Sequence, residues 1–161
     1  MDDIVRWNNL VISAKSCAFA INGVPIVGIT ALDYEDQLDA ELVHGANKDG
    51  SPIGYTSGEY SISSFNIQFL KDVWMTRVQP LLAALSAAAG GPGSYGTATW
   101  PFTGQYQEGP LVGTDLITGA RVVKVKDSYS QGAGKLVTDC SLMALTIRRN
   151  GLTLFNPLRL P

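Results

Sequence analysis

The chain has 161 residues, of which 45% are hydrophobic and 16% charged, and it carries a formal net charge of -2. A chain of this length makes one core without disulfide or metal staples, so residues 1–161 read as a single domain. The near-neutral balance, with no block of like charge, excludes the basic footprint of a protein that grips nucleic acid, and so low a charge content points to surface buried against other subunits.

In chain order, the opening Met1-Asp2-Asp3 is acidic where a signal peptide is basic. No apolar run approaches the roughly 18 residues of a membrane span, so a soluble chain made in a cytoplasm, with no membrane insertion, is expected. Residues 10–21 are rich in β-branched and small side chains and run into Asn22-Gly23, a dipeptide suited to the positive φ angles of a type I′ hairpin. The return strand at Ile26-Val27 follows Pro25, which lacks a ladder N–H and so places that strand near an edge or delays its pairing.

Residues 31–43 alternate. Tyr34, Leu38, Ala40 and Leu42 share one phase, while Asp33, Glu35, Gln37, Asp39 and Glu41 share the other, and only Asp36 breaks the apolar phase. The same residues also fit a helix, because Tyr34, Leu38 and Leu42 repeat every four positions. Residues 45–58 hold Gly45, Gly50, Pro52, Gly54 and Gly58 beside Asn47, Lys48 and Asp49, a long irregular loop of the kind associated with function or disorder rather than simple connection. Residues 59–70 read as a strand whose apolar phase slips near Ser63-Ser64, which one β-bulge explains.

Trp74, Val78, Leu81 and Leu85 form a helical stripe within residues 72–89, with Asp72 as its expected N-cap and Pro80 as the source of a kink or of two short helices. The breaker Gly90-Gly91-Pro92-Gly93 ends it. Further strands are expected at residues 95–102, 121–127 and 137–149, and Asn150-Gly151 is a second hairpin signal into 152–155. One helix among many strands makes a mainly β, α+β domain.

Motifs for chemistry are weak. Gly91 to Gly96 matches G-x-G-x-x-G but follows a helix and precedes a strand, the reverse of the dinucleotide-binding order, and Gly132-Ala133-Gly134-Lys135 lacks both the first glycine and the hydroxyl of a phosphate loop. His44 is the sole histidine, so a histidine-rich metal site is impossible and an exposed loop residue is the simpler reading. Asp33, Glu35, Asp39 and Glu41 could supply a hydrolase's carboxylate pair, since alternate strand residues lie about 6.6 Å apart. A solvated strand face accounts for them as well. Trp7, Trp74 and Trp100 share no spacing that would build a sugar platform. Cys17 and Cys140 are too few for a disulfide framework and read as two buried thiols. No catalytic residue, cofactor or metal is expected.

Three stretches together resemble the tail tube proteins of long-tailed phages and of other contractile injection systems. They are residues 32–36 (Leu-Asp-Tyr-Glu-Asp), 53–60 (Ile-Gly-Tyr-Thr-Ser-Gly-Glu-Tyr) and 127–132 (Asp-Ser-Tyr-Ser-Gln-Gly) leading to Arg149-Asn150-Gly151. The resemblance implies an antiparallel β-sandwich or partial barrel flanked by one helix. It also implies hexameric rings in which the sheets join into one large barrel, and head-to-tail stacking of those rings. It further implies a virion location, partners among sheath, baseplate and tail terminator proteins, and genomic DNA passing through without specific binding. The long loop of such proteins reaches the adjacent ring, which assigns that role to His44, Asn47, Lys48, Asp49, Pro52 and Tyr55. Asp33, Glu35, Asp39 and Glu41 are the expected lumen lining, because an acidic wall does not hold phosphate. Lys124 and Lys126 could face lumen or sheath. A monomeric, carbohydrate-directed sandwich and a baseplate-proximal tube protein of the same fold are the alternatives.

Overall fold

The computed structural model describes residues 17–45, 50–56, 58–108, 110–129, 131, 132, 134 and 136–154. Trp7, residues 10–16, Asn47, Lys48, Asp49 and residues 155–161 lie outside the described residues. The strands are β1 (Cys17–Ile21), β2 (Val24–Ile26), β3 (Ile29–Asp39), β4 (Leu42–His44), β5 (Pro52–Tyr55), β6 (Glu59–Leu70), β7 (Trp100–Glu108), β8 (Leu111–Ser128), β9 (Val137–Met143), β10 (Thr146–Arg149) and β11 (Leu152–Thr153).

All pairings are antiparallel. Both predicted hairpin turns form as their chemistry requires, with Asn22 and Gly23 at φ 50° and 79° and Asn150 and Gly151 at φ 53° and 81°. Pro25 does sit in an edge strand, since among the described strands β2 pairs with β1 alone. The alternation at 31–39 resolves as strand rather than helix, and β3 lies against β6 with the slip at Ser63 that the phase change requires.

The main sheet runs β2-β1-β7-β8-β9-β6-β3, with β10 and β11 attached beside β8. It is folded into two layers at β8. Residues 111–120 pair with β7 and β10, whereas residues 121–128 pair with β9. The crossing is made at Gly119, held at φ 67°, followed by a bulge at Val123. Sequence reasoning placed one strand across 137–149, but β9 and β10 belong to different layers and break at Ala144-Leu145. There Leu145 donates its backbone N–H to the Thr118 carbonyl at 2.9 Å, so both chain crossings occupy one corner.

Phe65, Ile67 and Cys140 of one layer meet Ile21, Phe102, Ile117 and Ile147 of the other, all essentially inaccessible. Burying each of these larger side chains contributes about 1.5–3 kcal/mol. Phe65 and Phe102 pack edge to face at 5.7 Å. Cys140 is buried as expected, whereas Cys17 is only half-buried, and neither forms a disulfide.

The helix begins as α1 (Lys71–Val73), passes through a π-type stretch at Trp74–Val78 and ends as α2 (Gln79–Ala88). Leu70, not Asp72, occupies the N-cap, and it offers no side-chain cap. Asp72 instead stands in the first turn, where its charge meets the positive end of the helix dipole. Pro80 does not break the helix, because Gln79 donates to the carbonyl of Trp74, five residues back. That wider turn relieves the clash between the Pro80 ring and the preceding turn. It also rotates the buried stripe to Trp74, Val78, Leu82 and Ser86, leaving Leu81 and Leu85 half-buried. Residues 95–97 form a 3-10 turn rather than the start of a strand, and Arg121 Nε donates to the Gly96 carbonyl at 2.7 Å.

Candidate functional site

The layer made of β3, β6, β9 and residues 121–128 has one apolar and one polar face. Leu32, Ile67, Cys140 and Val125 lie in register on the inner face. One residue over, Asp33, Asn66, Ser141 and Lys124 form a row on the outer face, and Ala31, Gln68, Asp139 and Lys126 form the next. Period-two alternation therefore carries every one of those polar side chains to the same side. Asn66 Nδ2 donates to Asp33 at 3.2 Å and Gln68 Nε2 to Asp139 at 2.8 Å, so the face is a cross-linked polar ladder rather than a set of isolated charges. Lys124 and Lys126 share this face with Asp33 and Glu35.

Among the described residues, both borders of this layer, the outer edges of β3 and of residues 121–128, lack a strand partner. A cleft of about 560 Å³ runs along β3, between Ile29–Tyr34 and the β1–β7 layer. A shallower groove of about 490 Å³ runs along residues 122–125 beside the 3-10 turn. Because the four strands alternate in direction, the two free edges run antiparallel to each other.

At one end of the layer, beyond Asp39 and Glu59, β4 and β5 pair as a separate two-stranded arm, so the expected irregular loop at 45–58 contains a strand at Pro52–Tyr55. Glu41 lies past the end of β3, at the arm's root: its N–H donates to Thr56 Oγ1 at 2.8 Å and its carbonyl accepts the N–H of Thr56 at 2.8 Å. His44 donates from Nδ1 to the Gly50 carbonyl at 3.0 Å and closes the arm's tip side. Gly58, at φ 78°, leaves room for the Asp39 carbonyl, which a Cβ there would meet at 2.8 Å. Leu42, Val43, Ile53 and Tyr55 are all exposed. At the opposite end, where β6 and residues 121–128 finish, Val27, Tyr129 and Leu136 are exposed.

A polar clasp joins the layers close to the arm. Arg149 Nη1 of β10 donates to Asp36 Oδ1 of β3 at 2.7 Å, Tyr60 of β6 donates to Asp36 Oδ2 at 2.9 Å, and the N–H of Ile147 donates to Tyr60 Oη at 3.1 Å. Tyr34 donates to Asp115 while Arg149 lies over its ring at 5.6 Å. Burial, reinforced by the bond to Asp115, pushes the Tyr34 hydroxyl well above the usual tyrosine range, and burial likewise raises Tyr60. Burial opposes the charge on Arg149, yet the bond to Asp36 holds its pKa above its ordinary value. Asp36, the residue that broke the apolar phase, thus faces inward because it has a cation and a phenol to meet. Sequence reasoning missed this clasp, whose only signal was that phase break.

The structure brings Asp33 and Glu35 onto one face, places Asp39 at its upper border and Glu41 in the arm's root. Asp33 also borders the cleft along β3, and Asp33, Glu35, Asp39 and Glu41 are all exposed. Among the described residues no group of His, Cys, Asp and Glu could hold a metal ion, and no helix is long and apolar enough to cross a membrane.

No protein-family model and no curated protein matches the sequence. Solved structures do. A chain of the anti-feeding prophage baseplate matches with TM-score 0.58 at 13% identity, over 84% of this chain and 91% of that one. A chain of the sheath-tube complex of an extracellular contractile injection system matches with TM-score 0.55 at 13% identity, over 88% and 93%. Hcp1 from Flavobacterium johnsoniae matches with TM-score 0.50 at 11% identity, over 87% and 98%. The chain has the fold of the Hcp-like tube proteins. Coverage above nine-tenths of each neighbour means that the Hcp-like fold is present as a whole rather than as a fragment.

Proposed function

We propose that this chain is the structural subunit of a tube. Copies close into hexameric rings, rings stack head to tail, and the polar face of the four-stranded layer lines the channel. The observation that carries this reading is the pair of free, oppositely running edges on a layer whose outer face is polar. Rotating one copy about an axis along the strands sets its β3 edge antiparallel to its neighbour's 121–128 edge, so a ring leaves no edge exposed.

Stacking uses the two ends. The arm, with Leu42, Val43, Ile53 and Tyr55, leaves one end of the layer, and the exposed Val27, Tyr129 and Leu136 lie at the other. Head-to-tail order brings the apolar arm of one ring onto the apolar end of the next. His44, Pro52 and Tyr55 belong to that arm, and the role assigned to Asn47, Lys48 and Asp49 concerns residues outside the described ones.

The channel conducts DNA in this reading. Asp33, Glu35 and Asp139 stand on the polar face with Lys124 and Lys126, and Asp39 stands at its rim, a mixed lining in which carboxylates offset the two lysines that could hold phosphate. The partners are further copies of the chain together with sheath, baseplate and terminator proteins. A tube of a contractile injection particle rather than of a phage tail is the second reading, favoured by neighbours drawn from the anti-feeding prophage and an extracellular contractile injection system.

Electron microscopy and light scattering of the purified chain across a concentration series test the proposal. Annular particles or filaments are expected. A strict monomer at millimolar concentration overturns it and returns the chain to the class of monomeric binding modules.

A further inference from the structure

The two free edges are unlike in charge as well as opposite in direction. On the outer face, β3 presents Asp33 and Glu35, both exposed, while residues 121–128 present Lys124 and Lys126, both exposed. Within the subunit these groups lie at opposite borders, separated by β6 and β9, and none of the described salt bridges uses them. Side-chain alternation allows only even offsets between joined strands, since an odd one would turn the polar row into the core. The strand tilt that barrel closure requires makes a nonzero offset the natural one, and an offset of about two residues sets Lys124 opposite Glu35 and Lys126 opposite Asp33.

We infer that the ring joint is a charge zipper: Asp33 and Glu35 of one copy pair with Lys124 and Lys126 of the next, and this pairing selects the joint between a β3 edge and a 121–128 edge over joints between like edges. It rests on the tube reading and specifies its partner surface as a second copy of this chain. Like edges meeting would set carboxylate against carboxylate or lysine against lysine, and directly opposed like charges on adjacent strands destabilise the pair. The zipper also makes ring closure sensitive to salt, because these side chains remain within reach of solvent.

Complementary charge reversal tests it. One variant carries D33K and E35K, giving two basic edges; the other carries K124E and K126E, giving two acidic edges. Each variant alone requires roughly a tenfold or greater rise in concentration to form rings, since two favourable contacts per joint become two repulsive ones. An equimolar mixture alternates around a ring of even number and regains assembly near the wild-type concentration. Circular dichroism melts of the dilute variants confirm that each folds. If each variant alone closes rings as readily as the wild type, or if the mixture stays as unassembled as its parts, the zipper is wrong. A wild-type chain that never assembles overturns the tube reading instead, so the two failures are distinct.

Discussion

Removing the guanidinium of Arg149 strands a carboxylate. Asp36 is 3% exposed at its side chain, and Arg149, at 44%, is its only cationic partner among the described salt bridges. In an R149M variant Asp36 keeps the Tyr60 hydroxyl at 2.9 Å and loses the charge-assisted bond at 2.7 Å. Breaking a fully buried pair by removing one member costs about 3–5 kcal/mol. Half the pair is open to water here, which lowers that to about 2 kcal/mol. Loss of the cation over the Tyr34 ring adds about 0.5 kcal/mol. A domain of this size shifts by about 2–4 °C per kcal/mol, so R149M melts roughly 5–10 °C below the wild type. D36N retains an acceptor for Tyr60 but carries no charge to strand. Adding R149M to D36N therefore costs little, and a double-mutant cycle gives a coupling of about 1–2 kcal/mol. Urea unfolding of protein held dilute enough to stay unassembled reads these values free of mass action. If the double variant equals the sum of the singles within about 0.5 kcal/mol, the clasp does not couple the layers.

Four further outcomes follow from the same geometry. Gly119→Ala destabilises by about 1–2 kcal/mol from its left-handed backbone alone, and more from a Cβ 2.6 Å from Leu145 Cγ; adding L145A recovers only the second part in urea melts. Tyr34 and Tyr60 both hold raised pKa values, so the fold favours their neutral forms. That stabilisation is complete below the ordinary tyrosine value of about 10 and is lost as pH rises through the folded values, so the urea midpoint falls more steeply between pH 9.5 and 11.5 in the wild type than in Y34F, with parallel curves refuting the assignment. Burial pushes the Cys140 thiol up to about 12, so an aromatic disulfide reagent labels it at pH 8 only at the rate of unfolding, which stopped-flow absorbance measures. Replacing Ile53 and Tyr55 by serine leaves rings intact and abolishes filaments in micrographs, whereas unchanged filament length removes the arm from ring stacking.

The local chemistry of the chain was sufficient for much of its local geometry. Asn22-Gly23 and Asn150-Gly151 dictated hairpins because few other residues tolerate positive φ. The alternation of 31–43 fitted a two-faced strand, in which side chains repeat every two residues, but it fitted a helix as well, and the pairing of β3 with β6 decided for the strand. The slip at Ser63 and the apolar helix were legible because periodicity is a short-range property. Long-range pairing was not legible. That β8 runs for 18 residues through both layers, that β9 and β10 part company at Leu145, and that Lys124 falls in the row of Asp33 are consequences of register between segments far apart in the chain. Asp36 illustrates the division: sequence alone marked it as the one polar residue on an apolar phase, and only the fold, by bringing Arg149 and Tyr60 within hydrogen-bonding distance, decided that a carboxylate could be buried there.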